Sequence, residues 1–298
     1  LTNLFSQNNY IHQVLLLNEG SYDYTNNVVL SPVTVGVYNP ENNEYNTVIE
    51  INNVRFASDL IIDDNYFYVA ADNKIIKFDL NTYEQINSIE FQGVRKLAIH
   101  DDNIYASRGD YDNITFAPII FDSYLDVFSK TTLDHLFSFE VNEGPDWSTE
   151  NLIINDDKLY VTINNAYEWG NYKGIIGVVE LSTMTYTDEI DLGEDGKNPI
   201  NLMLKDNTLY TINNQNWDGS SVSIVDLNDN EPQTMNLADV SAGCGVSILR
   251  GSKLNYQKAN DNLMYIFDLE TQTQAGLETN LNDNFYAVSQ DEINTAFD

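Results

Sequence analysis

One pattern constrains this chain more than any other. A short apolar run, an Asx-rich turn and a Tyr-bearing strand recur along its length. The pattern reads Leu60-Ile61-Ile62-Asp63-Asp64-Asn65-Tyr66-Phe67-Tyr68, then Leu97-Ala98-Ile99-His100-Asp101-Asp102-Asn103-Ile104-Tyr105. It returns over Leu152 to Tyr160 and Leu202 to Tyr210, with a degenerate copy from Ser247 to Asn255. Asp-Asp and Asp-Asn pairs suit the positive-φ positions of tight hairpin turns, so each copy predicts a hairpin. A second element is an apolar strand that closes on an acidic, Asn or Ser residue before a polar turn. Its copies are Val37-Tyr38-Asn39-Pro40, Lys77-Phe78-Asp79-Leu80, Val127-Phe128-Ser129-Lys130, Val178-Val179-Glu180-Leu181, Ile224-Val225-Asp226-Leu227 and Ile266-Phe267-Asp268-Leu269. Aligned on positions 38, 78, 128, 179, 225 and 267, they stand 40, 50, 51, 46 and 42 residues apart. A further strand follows each, for example Gln85 to Phe91 or Thr185 to Ile190.

Four strands in a period of about 40–50 residues is the pattern of propeller blades, and no stretch sustains helical periodicity. The expectation is an all-β chain: a single β-propeller domain over residues 1–298, made of four-stranded antiparallel blades. Six repeats are clear; a seventh, poorly marked blade built from both termini stays open. The tail Asn284-Phe285-Tyr286-Ala287-Val288 resembles the hairpin's Tyr strand. It is expected to pair beside Val14 to Leu17 and close the ring, removing an exposed sheet edge.

Composition bears on partners. Against 46 Asp+Glu stand 14 Lys+Arg, a formal net charge of −32, while 42 % of residues are hydrophobic and 19 Tyr and 13 Phe add aromatic mass. That is enough apolar material for a core, so the acidity does not signal disorder. Charge of this sign repels phosphate backbones and no basic stripe offsets it, which excludes nucleic acid and anionic membrane surfaces as partners. Cys244 is the one cysteine, leaving no internal disulfide and no cysteine-based zinc cluster. The longest apolar run, around Val14 to Leu17, is far too short to span a bilayer. Leu1 has neither an initiator Met nor a signal peptide before it and reads as the start of a mature or trimmed chain.

With strands A to D counted outward from the axis, the A–B and C–D turns share one face and are short and acidic. The B–C and D–A connections share the other. There the B–C loops are long: Asn18 to Leu30, Arg108 to Pro118, Asn164 to Lys173 and Asn213 to Ser220. They carry Tyr22, Tyr24, Arg108, Tyr111, Tyr167, Trp169, Tyr172 and Trp217; the D–A loops add Arg55, Phe56, Arg95 and Trp147. All three Trp and three of the four Arg thus fall on one face. A single loop aromatic often packs under its own loop. The gathering of the whole set points to a binding face, since Trp, Tyr and Arg are the usual anchors.

Catalytic chemistry is sparse. His12, His100 and His135 stand near strand ends of different repeats and read as surface or turn residues, and Cys244 reads as a small buried residue opening an inner strand. No nucleophile elbow, phosphate loop or His-Glu-x-x-His occurs. Asp191 to Gly196 opens like an EF-hand loop, but its third position is Gly193 and its twelfth Leu202. Asp226 to Asn230 fails likewise, with Glu231 where Gly should sit and Leu237 at position twelve. Both read as turns. No cofactor is expected, with calcium held by residues of several blades the one left open.

Tyr160-Val161-Thr162-Ile163-Asn164, followed by Val178-Val179-Glu180-Leu181-Ser182-Thr183, resembles the YVTN-type surface propeller repeat. The opening Val14-Leu15-Leu16-Leu17-Asn18-Glu19-Gly20, followed by Val37-Tyr38-Asn39-Pro40-Glu41, is similar to the first blade of surface propeller lipoproteins of Bacteroidota. The resemblance implies a protein anchored by lipid to the outer face of an outer membrane, beside a TonB-dependent transporter, with cobalamin and related corrinoids as the best-known ligands. The membrane would be touched only through that anchor.

Three functions stay open. The first is a non-enzymatic surface protein that captures a ligand, a corrinoid foremost, for a TonB-dependent transporter. Rings would enclose the ligand while Arg55, Arg95 and Arg108 hydrogen-bond its periphery. The second is an accessory protein–protein subunit of an outer-membrane assembly with no small ligand. The third is a calcium-dependent, lactonase-like hydrolase using Asn18, Glu19, Asn164 and Asn213 near a channel mouth.

Overall fold

A computed structural model describes residues 13–241, 247–259 and 263–280. They divide between Ala57 and Ser58 into two compact units. The expected ring-closing strand at 284–288, His12 and Cys244 lie outside the described residues.

The first unit holds β1 (Val14–Asn18), β2 (Ser21–Asp23), β3 (Val28–Ser31), β4 (Val33–Asn39) and β5 (Glu44–Ile51). β1, β4 and β5 form a three-stranded antiparallel sheet, and β2 pairs with β3 as a separate hairpin. The expected loop from Asn18 to Leu30 is therefore largely a hairpin.

The second unit repeats one design five times. Its blades are β6 (Asp59–Asp63), β7 (Tyr66–Ala71), β8 (Lys74–Asp79) and β9 (Gln85–Glu90); β10 (Val94–His100), β11 (Asn103–Arg108), β12 (Ser123–Ser129) and β13 (His135–Glu140); and β14 (Thr149–Asn155), β15 (Lys158–Ile163), β16 (Ile175–Glu180) and β17 (Thr185–Asp191). Two more follow: β18 (Pro199–Lys205), β19 (Thr208–Asn213), β20 (Ser221–Asp226) and β21 (Glu231–Asn236); then β22 (Ser247–Arg250), β23 (Lys253–Gln257), β24 (Leu263–Asp268) and β25 (Thr273–Asn280). Every sheet runs in sequence order, and the first strand of each blade lies against the first strand of the next. The chain is an all-β propeller with six blade sheets in sequence, numbered first to sixth below, the first three-stranded among the described residues.

The repeat residues explain themselves once paired. Asp64, Asp101, Asp156 and Asp206 take positive φ in two-residue turns, and Gly251 does so in the degenerate copy. In the C–D turns the side chain closing the strand accepts backbone N–H groups: Asp79 from Asn81 and Thr82, both at 2.8 Å, and Asp268 from Glu270 (3.0 Å) and Thr271 (2.8 Å). These are Asx turns. The recurring Tyr serves the next blade. Tyr68 packs with Leu133 and donates its hydroxyl to the Lys130 carbonyl at 3.0 Å. Tyr105 packs with Leu181 and Met184, Tyr160 with Leu227, and Tyr210 with Leu269. A blade buries its apolar faces only against neighbours, so each junction needs this contact.

A polar belt runs beside these clusters. The residue preceding each apolar run, Asp59, Lys96, Asn151, Asn201 and Ser247, reaches to the adjoining blade. Lys96 lies 3.8 Å from the Asp59 carboxylate, Asn151 donates to Asn201 Oδ1 at 3.0 Å, and Asn201 donates to Ser247 Oγ at 2.9 Å. Burial raises the Asp59 carboxyl above the usual range, against the pull of Lys96.

Candidate functional site

On the B–C side of the second unit the loops differ sharply in length. The second blade has a tight turn between β7 and β8, whereas 109–122 in the third and 164–174 in the fourth are long. Asp112 shapes the first of these by accepting N–H groups of Ile114 (3.0 Å) and Thr115 (2.8 Å), which holds its carboxyl below the usual range. The tip beyond it exposes Ile114 and Phe116. Glu168 shapes the second. Its carboxylate accepts Nδ2 of Asn165 and of Asn171, both at 2.8 Å, and these bonds hold it below the ordinary range. Trp169 then stands at the tip beside Gly170, whose φ of +82 is a conformation L side chains rarely adopt.

A row of rings joins the loops: Phe116 lies over Tyr111 at 6.1 Å and Tyr111 over Tyr167 at 5.7 Å. Burial pushes the Tyr167 hydroxyl well above its usual range. Between the loops and the 141–148 connection lies a cleft of about 300 Å³, walled by Phe121, Tyr124, Trp147 and Tyr167 and by Ile119 and Ile120. Asp110, Asp146 and Glu168 also line it, and no Lys, Arg or His does. Ser148, 4 % exposed, is part of the lining, and its Oγ has no hydrogen-bond partner.

In fold, the chain is similar to BamB from Moraxella catarrhalis. The two share a TM-score of 0.54 at 11 % identity, over 89 % of this chain and 77 % of that one. At that identity the likeness is one of scaffold, and function has to be argued from the site. No known family model matches the chain, and no curated protein matches it.

Of the residues expected on the binding face, the cleft brings together Trp147 and Tyr167, with Tyr111 stacked behind. Trp169 adjoins through Glu168 and meets Tyr172 edge-on at 6.5 Å. Tyr172 is itself buried, its hydroxyl unpartnered. Trp217 is partly exposed on the fifth blade's loop and does not line the cleft. Arg95 and Arg108 lie in strands, not loops. Arg95 makes a bidentate pair with Glu150, Nε to Oε2 and Nη2 to Oε1, both at 3.0 Å. Arg108 sits over Phe121 (3.8 Å) and Phe91 (4.5 Å) and donates Nε to the Gln92 carbonyl at 2.9 Å. In the first unit, Tyr22 and Tyr24 pack edge-on at 4.9 Å, and the Arg55 guanidinium lies 5.2 Å from the Phe56 ring.

Several lining residues went unread in the sequence: Asp110, Ile119, Ile120, Phe121, Tyr124, Asp146 and Glu168. A signal existed. Ile119-Ile120-Phe121 is an apolar run directly after the expected loop from Arg108 to Pro118, and it belongs to the 109–122 connection, where polar residues are the rule.

Two other clusters bear on chemistry. Ser138 Oγ lies 3.1 Å from His135 Nε2, and His135 Nε2 lies 2.9 Å from Asp126 Oδ1. One ring nitrogen makes both contacts, so the imidazole does not bridge nucleophile and carboxylate as a relay requires. Asp126, with Ser123 at 2.7 Å on its other oxygen, is a buried carboxylate in a cage of donors. As for calcium, Asn213 donates to Ser221 and Ser223 at 2.8 Å, Asn164 accepts from the Ala166 N–H, and Asn18, in the first unit, donates to Thr34 and Tyr45. Among the described residues no group of three His, Cys, Asp or Glu could hold a metal ion.

Proposed function

We propose that this chain is a non-enzymatic docking propeller of the cell envelope that holds a partner polypeptide on the B–C loops of its third and fourth blades. One observation carries the proposal: Ile114, Ile120 and Trp169 are each 78 % exposed and Phe116 54 %, around a ring-walled cleft. Large apolar side chains held in water by ordered loops mark a surface that gains from being covered. The resemblance to surface propeller lipoproteins supports an outer-membrane setting and a TonB-dependent transporter, or a larger outer-membrane assembly, as the partner. A photo-crosslinking residue at Phe116 or at Trp169 should give one discrete adduct in native membranes, abolished by Ile120→Asp. The same residue at Asp229, in a C–D turn, should give none. Equal adducts from both faces would remove the assignment.

A second reading, capture of a small ligand such as a corrinoid, draws support from the concavity itself, whose volume sits at the lower bound for ligand pockets. Titration with cobalamin and cobinamide while following tryptophan emission separates the two. Saturable quenching that Ile120→Asp leaves intact favours the ligand.

A further inference from the structure

The two loops of the docking face belong to different blades, and one ring crosses between them. The third blade's loop is a ribbon closed by its own backbone. Tyr111 bridges to Pro118, the Asp112 N–H donates to the Ala117 carbonyl at 2.9 Å, and the Ile119 N–H donates to the Asp110 carbonyl at 3.0 Å. A lone two-stranded ribbon is marginal in water, so it gains from support outside itself. Tyr167 brings such support from the fourth blade's loop. Its ring stacks on Tyr111 and lies 5.8 Å from the Arg95 guanidinium, which is itself held by Glu150. Gly109 makes room for that ring. A Cβ at 109 would stand 2.7 Å from Tyr167 Cε2 and 2.8 Å from Ser148 Cβ, closer than real Cβ contacts come. Ser148 in turn anchors the fourth blade's loop, its carbonyl accepting the N–H groups of Asn164 at 3.2 Å and Asn165 at 3.1 Å.

We infer that Tyr167 is the positioning residue of the docking face. Seated in the third blade, it fixes the 109–122 loop against the 164–174 loop, so that Phe116, Ile120 and Trp169 meet a partner as one preformed surface. Phe116 stacks on Tyr111 and Tyr111 on Tyr167, and this row carries the support out to the loop's tip. Trp169, two residues beyond Tyr167, takes its place from the same seat. Holding both loops in their bound arrangement before a partner arrives removes an ordering cost from association. This inference rests on the docking proposal above.

The test compares three variants of the full chain: Tyr167→Leu gives up the ring, Tyr167→Phe keeps it, and Gly109→Ala crowds the slot from the opposite blade. Hydrogen exchange reads the loop. The hydrogen-bonded amides of Asp112, Phe116 and Ile119 should exchange at least about tenfold faster in Tyr167→Leu and in Gly109→Ala. In Tyr167→Phe they should keep the parent's rate. Amides of β19, in the fifth blade, should be unchanged in all three, which separates a loosened loop from a lost fold. A photo-crosslinking residue at Phe116 sits on the other blade from Tyr167. Its adduct in native membranes should fall at least about threefold in Tyr167→Leu and persist in Tyr167→Phe. Third-blade amides that keep the parent's rate in Tyr167→Leu, exchange that rises equally in β19, a Phe variant that behaves like the Leu variant, or an undiminished adduct would each overturn the positioning role. Its failure differs from failure of docking: an adduct lost in Ile120→Asp but undiminished in Tyr167→Leu leaves the docking face standing. An adduct that survives Ile120→Asp removes the docking face, and the positioning role with it.

Discussion

Arg95 shows how a residue type misleads about its role. An arginine near a loop face suggests a ligand contact, yet its fork is closed on Glu150, with side-chain exposures of 17 % and 10 %. Breaking such a pair strands the other charge, and Glu150 would then also repel the buried Asp59. Arg95→Met should therefore cost about 3 kcal/mol, read from urea unfolding, and Glu150→Met on top should return much of it. A loss no larger in Arg95→Met than for a surface pair, below about 1 kcal/mol, would show that the bridge is solvated. Arg108 tells the same story with rings in place of a carboxylate. Neither contact was legible, because both partners lie many positions away in the chain and the repeat does not encode them.

The blade junctions and turns are where sequence and structure agree most closely. The Tyr of each hairpin was visible as a repeat, but its purpose, reaching the next blade's C–D turn, is a contact at long separation. Tyr68→Phe keeps the ring among Leu133 and Phe128 and loses only the bond to Lys130. It should cost about 1 kcal/mol, since Lys77 Nζ still donates to that carbonyl at 3.0 Å. Tyr68→Ala, which empties a fully buried site, should cost about 4 kcal/mol. The turn carboxylates give a pH dependence. Hydrogen bonds to backbone N–H groups hold Asp79 and Asp268 below the usual range. A depressed folded value means the native state favours the ionised form. Their stabilisation is full above the unfolded value of about 4 and is lost as pH falls through the folded values. Asp79→Asn with Asp268→Asn keeps the acceptors without the titration. The variant should unfold at nearly the same urea concentration at pH 7 and lose less than the parent between about pH 5 and pH 3. A steeper acid loss in the variant would contradict this.

At the scale of the whole chain, the charge of −32 acts against compactness. Screening it should stabilise: raising NaCl from about 10 mM to about 0.5 M is expected to lift the melting temperature by about 3 °C. A fall would mean that ion pairs such as Lys130–Asp63, at 2.9 Å, outweigh the repulsion. Strand order, hairpin register and the face carrying the long loops follow from the sequence by itself, because turn chemistry and two-residue periodicity are local. Tertiary structure alone decided which loop residues share a cleft. Trp147 comes from the connection between the third and fourth blades and Tyr167 from a loop of the fourth, and Tyr124 and Asp110 of the third join them only because the first strands of consecutive blades pack side by side. It also decided that the apolar run Ile119-Ile120-Phe121 turns partly inward as wall and partly outward, leaving Ile120 in water. Local propensity sets the direction of a strand, but the exposure of a loop side chain depends on what neighbouring blades leave uncovered.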